Sequence, residues 1–129
     1  MSVEVINPGS MPRGSYSHAV VVNGGRLVFV SGQVSVDSHG KVVGETFEAQ
    51  AEQVFANLNT VLKAAGARWH DVVKMNVYIR DLNSTKVKQF REIRQRHLLD
   101  HQPASTLVAT PGLVHEDMML EVEVVAHIA

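Results

Sequence analysis

The middle of the chain carries the clearest periodic pattern of hydrophobic residues. From Phe47 onwards, apolar side chains recur at spacings of three and four, which is typical of a helix with one buried face. The repeating positions are Phe47, Ala51, Val54, Leu58, Val61, Leu62 and Ala65. Thr46 can cap the start of this helix, and Gly66 can end it in the left-handed conformation.

A second helix is predicted from about Thr85 to Leu99. Its apolar stripe is less regular than that of the first helix and consists of Val87, Phe90, Ile93 and Leu98. Pro103 ends the segment, because the residue before a proline is disfavoured in the helical conformation.

Five segments between and around these helices have the pattern of strands. They are His18–Val22, Leu27–Ser31, Val73–Ile79, Ser105–Thr110 and Met118–Ala126. Leu27–Ser31 is a nearly continuous apolar run and is therefore predicted to be buried on both faces. In the last strand Glu121 and Glu123 alternate with apolar neighbours, so one of its faces is wetter. The Asn23-Gly24-Gly25 tripeptide is predicted to join the first two strands as a tight hairpin turn.

The order strand, strand, helix, strand, helix, strand, strand predicts an α+β fold, in a single domain over residues 1–129. Two helices packed on one face of a mixed sheet are the natural arrangement for this order. A single layer of helices leaves the other sheet face uncovered, and that face carries several apolar or uncharged residues. We therefore expect it to be buried against other subunits.

The composition argues against several classes of function. The chain has no cysteine, which removes disulfides and thiolate nucleophiles and fits a reducing compartment. Its 12 basic and 13 acidic residues nearly cancel, whereas nucleic-acid binding usually needs a basic face. No apolar stretch is long enough for a membrane span, and the first residues lack the pattern of a signal peptide. We therefore predict a cytoplasmic protein that binds neither membranes nor nucleic acid.

Several short motifs occur in an order that one protein family shares. They are Tyr16-Ser17-His18-Ala19, the strand 27–33 (LVFVSGQ), the helix end Leu62-Lys63-Ala64-Ala65-Gly66, Asp71-Val72-Val73-Lys74 with Asp81-Leu82, Pro103-Ala104, and Leu120-Glu121-Val122-Glu123. No single motif is specific, but together they cover nearly the whole chain. On this basis the sequence resembles the Rid (YjgF, endoribonuclease L-PSP-like) family.

The resemblance implies a chorismate-mutase-like fold and a homotrimer with a small-molecule cleft between neighbouring subunits. It also implies hydrolysis of reactive enamines and imines, such as 2-aminoacrylate, to keto acids and ammonia, with no cofactor or metal. Glu121 is the residue expected to position the attacking water. The residues expected to bind a small carboxylate or imine are Tyr16, Ser31, Gly32, Ser105, Thr106 and Arg91.

One position departs from the family pattern. Where the family has P-A-R-S, this chain reads Pro103-Ala104-Ser105-Thr106, so a neutral hydroxyl replaces the arginine that holds the substrate carboxylate. We expect this loss to weaken the binding of a small 2-imino acid by about a hundredfold or more. Arg91 on the second helix is the first alternative cation, although Arg91, Arg94 and Arg96 together have the pattern of a solvated helix face.

Two functions therefore remain open at this stage. In the first, the protein is an imine or enamine deaminase. In the second, the trimer binds a metabolite or a partner protein without catalysis, and some relatives carry labels such as translation inhibitor or endoribonuclease. A metal enzyme is not expected, because His97 and His101 stand four residues apart but lack an HExxH pattern.

Overall fold

Two helices lie on one face of a four-stranded mixed sheet, and a separate pair of strands precedes it. The computed structural model describes residues 2–129. The elements in chain order are β1 (Ser2–Ile6), β2 (Ala19–Asn23), β3 (Arg26–Gln33), α1 (Phe47–Ala64), β4 (Val72–Arg80), α2 (Ser84–Leu98), β5 (Ala104–Thr110) and β6 (Leu120–Ile128), with a single 3-10 turn at Trp69–Asp71 before β4. This architecture confirms the predicted α+β fold.

The sheet has the strand order β3-β6-β4-β5. The β3–β6 and β6–β4 pairs are antiparallel, and the edge strand β5 runs parallel to β4. The helices cover one face, where Met75, Val77 and Val122 are fully buried. We call the opposite surface, which no helix covers, the open face. Residues that stand opposite each other on neighbouring strands share a face, so the register assigns each side chain of the sheet to one of the two sides.

The first helix has the predicted cap and end, and the second has a cap that was not predicted. Thr46 Oγ1 accepts a hydrogen bond from the Ala49 amide at 3.1 Å, and Gly66 has a φ of +81° just beyond the end of α1. Asn83 Oδ1 caps α2 by accepting from the Lys86 amide at 2.8 Å. Among the described residues, no helix is both long enough and apolar enough to cross a membrane.

The strand pairing at the start of the chain differs from the prediction. Sequence analysis missed β1, and β2 pairs along its length with β1 rather than with β3. The Asn23-Gly24-Gly25 turn exists, with positive φ at both glycines, but it directs β3 onto β6. The His127 ring hydrogen-bonds to the Gly24 carbonyl at 2.7 Å, which ties the turn to the end of β6. The hairpin prediction was therefore wrong, because a turn signal does not identify the strand that the chain meets next.

The prediction that β3 is buried on both faces was also wrong for the single chain. Val30 is buried under the helices, whereas Phe29 is 74% exposed and Leu27 is 49% exposed. Phe29 stands opposite Val125 on the open face. The run is apolar on both sides, but only one side has a helix layer to cover it.

Phe55 lies at the centre of the packing between the helices. It is fully buried, and its ring centroid lies 5.7 Å from that of Phe90 and 5.4 Å from that of Trp69. The His97 ring stacks on it at 4.9 Å. This aromatic group joins α1 to α2 and to the turn before β4.

Phe55→Ala should lower the free energy of unfolding by about 3–5 kcal/mol, because it removes a buried ring and leaves a cavity among its neighbours. Urea unfolding followed by circular dichroism measures this change. Val114→Ala is the control, since Val114 is 93% exposed and its truncation should change stability by less than about 0.5 kcal/mol. Equal effects of the two changes would contradict the assigned core.

Candidate functional site

A bulge in β3 brings three of the predicted site residues together. The register between β3 and β6 shifts between Val30 and Gln33, which leaves Ser31 and Gly32 out of the regular pairing. A Cβ on Gly32 would collide with the Glu121 carboxylate, so only glycine lets that carboxylate lie against the backbone here. Ser31, Gly32 and Glu121 therefore form one group at the β3 edge of the sheet, which we call the β3 half-site.

A second polar group lies beside the β3 half-site on the open face. Glu123 Oε1 accepts hydrogen bonds from the Tyr78 hydroxyl at 2.9 Å and from Asn76 Nδ2 at 3.1 Å. The hydrogen bond from the Tyr78 hydroxyl to Glu123 raises the pKa of Tyr78 above its ordinary value of 10.0. Burial and the charges of Glu123 and Glu121 raise it further. A depression of about 380 Å³ connects this group with Ser31.

Ser105 faces the other way. It stands opposite Met75, which is fully buried beneath the helices, so its side chain points to the helix face. There its Oγ accepts a hydrogen bond from Arg94 Nη1 at 3.3 Å. Arg94 Nη2 donates to Ser15 Oγ at 2.5 Å. A guanidinium from α2 thus reaches the strand position where the family pattern would place an arginine.

Arg94 is buried, which corrects the prediction of a solvated arginine face. It is only 7% exposed, and its guanidinium carbon lies 5.6 Å from the centre of the Phe90 ring. Burial lowers the pKa of Arg94, and the nearby charge of Arg91 lowers it further. Arg91, the predicted alternative cation, is exposed on the same helix, and Arg96 pairs at the surface with Glu52 at 2.7 Å.

The N-terminal segment that carries Ser15 and Tyr16 runs along the outer edge of β5. Ser17 donates its amide hydrogen to the Pro103 carbonyl at 3.1 Å and forms a bridge with Ala104. The Tyr16 ring packs edge-on against His18, with 5.2 Å between ring centres. We call Ser15, Tyr16, Arg94 and Ser105 the β5 half-site. Thr106 is not part of it: Thr106 is exposed and its Oγ1 accepts from Lys74 Nζ at 3.1 Å.

A cavity of about 600 Å³ adjoins the β5 half-site. It lies between α2 and the chain that leads from α2 to β5, and Ser15 and Arg94 form part of its wall. Arg91 also lines it, as an exposed residue. The cavity is therefore open to solvent on one side and has a buried cation on the other.

The two half-sites cannot meet within one chain. Ser105 lies on the helix face, whereas Glu121 stands opposite Tyr78 on the open face. They also belong to different regions of the sheet, since β6 and β5 are separated by β4. Two strand spacings and three residues along a strand place the Cα atoms of Ser105 and Glu121 about 14 Å apart. The structure brings the predicted residues together as two groups and not as one.

The comparisons with known proteins identify the family. The model of the family described as Endoribonuclease L-PSP matches residues 8–128. The chain belongs to the endoribonuclease L-PSP (Rid) family. It is 33% identical to a RutC family protein of Pyrococcus abyssi over 98% of both chains, and 36% identical to a RutC family protein of Aquifex aeolicus over 90% of both.

Solved structures of Rid proteins have the same fold. A protein of unknown function of the conserved Rid family from Yersinia pestis, YyfB, is 30% identical and superposes with a TM-score of 0.92 over 99% of this chain and all of that one. RidA from the Antarctic bacterium Psychrobacter is 32% identical, with a TM-score of 0.73 over 97% of this chain and 99% of its own. The Rid fold is thus shared over nearly the full length.

Arg94 is the site residue that sequence reasoning missed in this Rid protein. A signal for it was present, because Arg94 lies four residues after Phe90 and four before Leu98 and so falls on the apolar stripe of α2. A charged residue on such a stripe either extends to solvent or is buried with polar partners. Ser15 and Ser105 are those partners, and only the structure shows it.

The Tyr78–Glu123 hydrogen bond predicts a measurable pH effect. Because the folded pKa of Tyr78 is raised, the bond stabilises the fold fully below pH 10.0 and loses this effect as the pH rises through the folded pKa. Glu123→Gln should lower the Tyr78 pKa towards its ordinary value. The chain has two tyrosines, so phenolate absorbance in a Tyr16→Phe background reports on Tyr78 alone.

Glu121→Gln is the matched comparison for this titration. Glu121 acts on Tyr78 only through its charge, so this change should lower the pKa less than Glu123→Gln does. A Tyr78 pKa that stays the same in the Glu123 variant would contradict the assigned hydrogen bond.

Proposed function

We propose that this protein is a homotrimeric deaminase of the cytoplasm that hydrolyses small imine or enamine carboxylic acids to keto acids and ammonia. The observation that carries the proposal is the division of the site residues into two half-sites near opposite edges of the sheet. A site that needs both halves requires the β3 half-site of one subunit to face the β5 half-site of the next.

This head-to-tail arrangement leads to a ring. An interface between two different surfaces of identical subunits closes into a ring when the rotation permits, and every interface of the ring is then equivalent. A trimer would have three equal clefts, as the resemblance to the Rid family implies. The exposed Phe29 and Leu27 of the open face support such an assembly, because exposed apolar patches mark surfaces that bind other chains.

The chemistry needs one carboxylate and one anchored substrate. Glu121 accepts a proton from a water molecule, and the water oxygen adds to the carbon of the C=N bond, whose nitrogen takes up a proton. The hydroxyl proton of the resulting carbinolamine passes to the amino nitrogen through Glu121, and ammonia leaves as the C–N bond breaks and the C=O bond forms. An enamine such as 2-aminoacrylate enters this sequence as its imine tautomer, which forms when C3 takes up a proton. An imine is already electrophilic, so this reaction needs no cofactor. Ser105 and Tyr16 of the neighbouring subunit bind the substrate.

Glu121→Gln should lower the rate of ammonia release from freshly generated 2-aminoacrylate by about a hundredfold or more, because the amide cannot accept the proton. Glu123→Gln is the matched control, since Glu123 lies on the same strand and face, but its carboxylate accepts from Asn76 and Tyr78 and does not lie against Gly32. Its rate should stay close to that of the unchanged protein. Binding of a keto acid without any release of ammonia would instead favour the non-catalytic alternative.

Light scattering should give about three times the 14.2 kDa mass of one chain. Phe29→Asp should lower this mass, because it places a charge in the surface that the trimer buries. Val114→Asp is the control, as Val114 is exposed outside the sheet and should not affect association. A monomeric mass for the unchanged protein would contradict the proposal, since neither half-site is complete alone.

A further inference from the structure

Arg94 is a buried cation without an acidic partner. It is 7% exposed, and none of the ion pairs formed among residues 2–129 includes it. A charge removed from water is destabilising unless a counter-charge or a metal compensates for it. A guanidinium kept in this state beside a cavity is therefore suited to an anion that comes from outside the chain.

The two serines that contact Arg94 strengthen this argument. Ser15 Oγ and Ser105 Oγ both accept hydrogen bonds from the guanidinium, and each hydroxyl then still has its own hydrogen to donate. Arg94 has five N–H donors in all, and these two bonds use two of them. The guanidinium and the Ser15 hydroxyl, which both line the cavity, can thus donate hydrogen bonds to a carboxylate from two directions.

Positive charges outnumber negative ones around the cavity. Lys88 and Arg91 line it together with Arg94, and the acidic residue in the lining is Glu92. Positive charges thus exceed negative ones in this part of the surface, although the whole chain has a formal charge of −1. Such a local excess attracts anions and raises their concentration near the cavity.

The cavity wall also has an apolar part, beside the polar residues Ser84, Gln95, His101 and Gln102. Val87, Leu98 and Leu99 form this apolar part. Leu99 has a φ of 56°, which is unusual for leucine, and its side chain is 66% exposed. The cavity volume of about 600 Å³ lies within the range of about 300–1,000 Å³ that is typical of sites for drug-sized ligands. A three-carbon acid would leave most of this space unfilled.

We propose that Arg94 and Ser15, which line the cavity, bind the carboxylate of a small organic acid while Ser105 holds the guanidinium in place from the strand side, and that Val87, Leu98 and Leu99 contact an apolar substituent larger than a methyl group. The ligand class is thus a branched or aromatic 2-oxo or 2-imino acid rather than a three-carbon one. This inference deepens the proposed function, because the carboxylate would be that of the substrate. It concerns binding alone, so it can stand or fail separately from catalysis.

Two keto acids serve as probes of binding. Titration calorimetry compares 4-methyl-2-oxopentanoate with pyruvate on the unchanged protein, and the longer acid should bind at least about tenfold more tightly, since it buries several more methyl or methylene groups. The neutral 4-methyl-2-oxopentanamide has the same tail without the charge and should bind at least about tenfold more weakly than its acid. Thermal unfolding with and without each probe gives a second measure of binding.

Arg94→Gln should weaken the binding of 4-methyl-2-oxopentanoate by about ten- to a hundredfold, because a charge-assisted pair is lost. Arg94→Lys keeps the charge and should retain part of the affinity, which guards against a glutamine variant that folds poorly. Arg96→Gln is the matched control, since Arg96 lies on the same helix but pairs with Glu52 outside the cavity. Its affinity should not change. Leu99→Ala should weaken the binding of 4-methyl-2-oxopentanoate and leave the binding of pyruvate unchanged.

Three results would overturn the inference. One is that the Arg94→Gln variant binds 4-methyl-2-oxopentanoate as tightly as the unchanged protein does. Another is a loss of affinity in Arg91→Gln that exceeds the loss in Arg94→Gln, which would assign the anion to the exposed arginine. The third is no preference for the longer acid. If binding follows the expectation but Glu121→Gln leaves ammonia release unchanged, the anion site stands and the proposed catalysis fails.

Discussion

The structure depends on the alternation of side chains along a β-strand. Successive residues point to opposite faces, so a sheet covered by helices on one side has two surfaces with different surroundings. Ser105 and Glu121 lie on different surfaces for this reason alone. No rotamer change can bring them together, because the sheet itself lies between them. Any function that uses both residues must therefore use two chains.

The β3 bulge shows how closely the backbone is adapted to one side chain. The extra residue in β3 directs Gly32 towards β6, and the Glu121 carboxylate occupies the space that any Cβ would fill. A regular strand would place a side chain at this position and push the carboxylate away. Gly32 is thus explained by its close contact with Glu121 on β6. The proposed catalytic carboxylate owes its place to a glycine on the neighbouring strand.

Patterns among residues close together in the sequence predicted the elements that depend only on such neighbours. The helix α1, its Thr46 cap and its Gly66 end follow from periodicity and capping, and they are confirmed. The pairing of β2 with β1 depends on contacts between segments far apart in the chain, and no spacing reveals it. The prediction that β3 is buried on both faces was wrong, because apolar residues indicate that a face favours burial but do not show that another element covers it. The order of motifs identified the family, as the comparisons confirm.

The candidate site was only partly predictable for a related reason. The pairing of β3 with β6 brings Ser31, Gly32 and Glu121 together. These residues were predicted as site residues from the family resemblance and not from the strand pairing. Arg94 was assigned to a solvated face, since an arginine on a helix is usually exposed. Its burial depends on two serines that lie 79 and 11 residues away in sequence.

The serine at position 105 is better understood together with Arg94 than as the loss of an arginine. An arginine at position 105 would bring a second guanidinium next to a buried first one, and like charges in a desolvated site repel each other strongly. A short hydroxyl at this position instead leaves room for the long side chain from α2 and accepts one of its hydrogen bonds. The positive charge then comes from the helix side of the cavity, where Leu98 and Leu99 provide apolar surface. A serine at position 105 is therefore compatible with a buried Arg94, whereas an arginine there would oppose it.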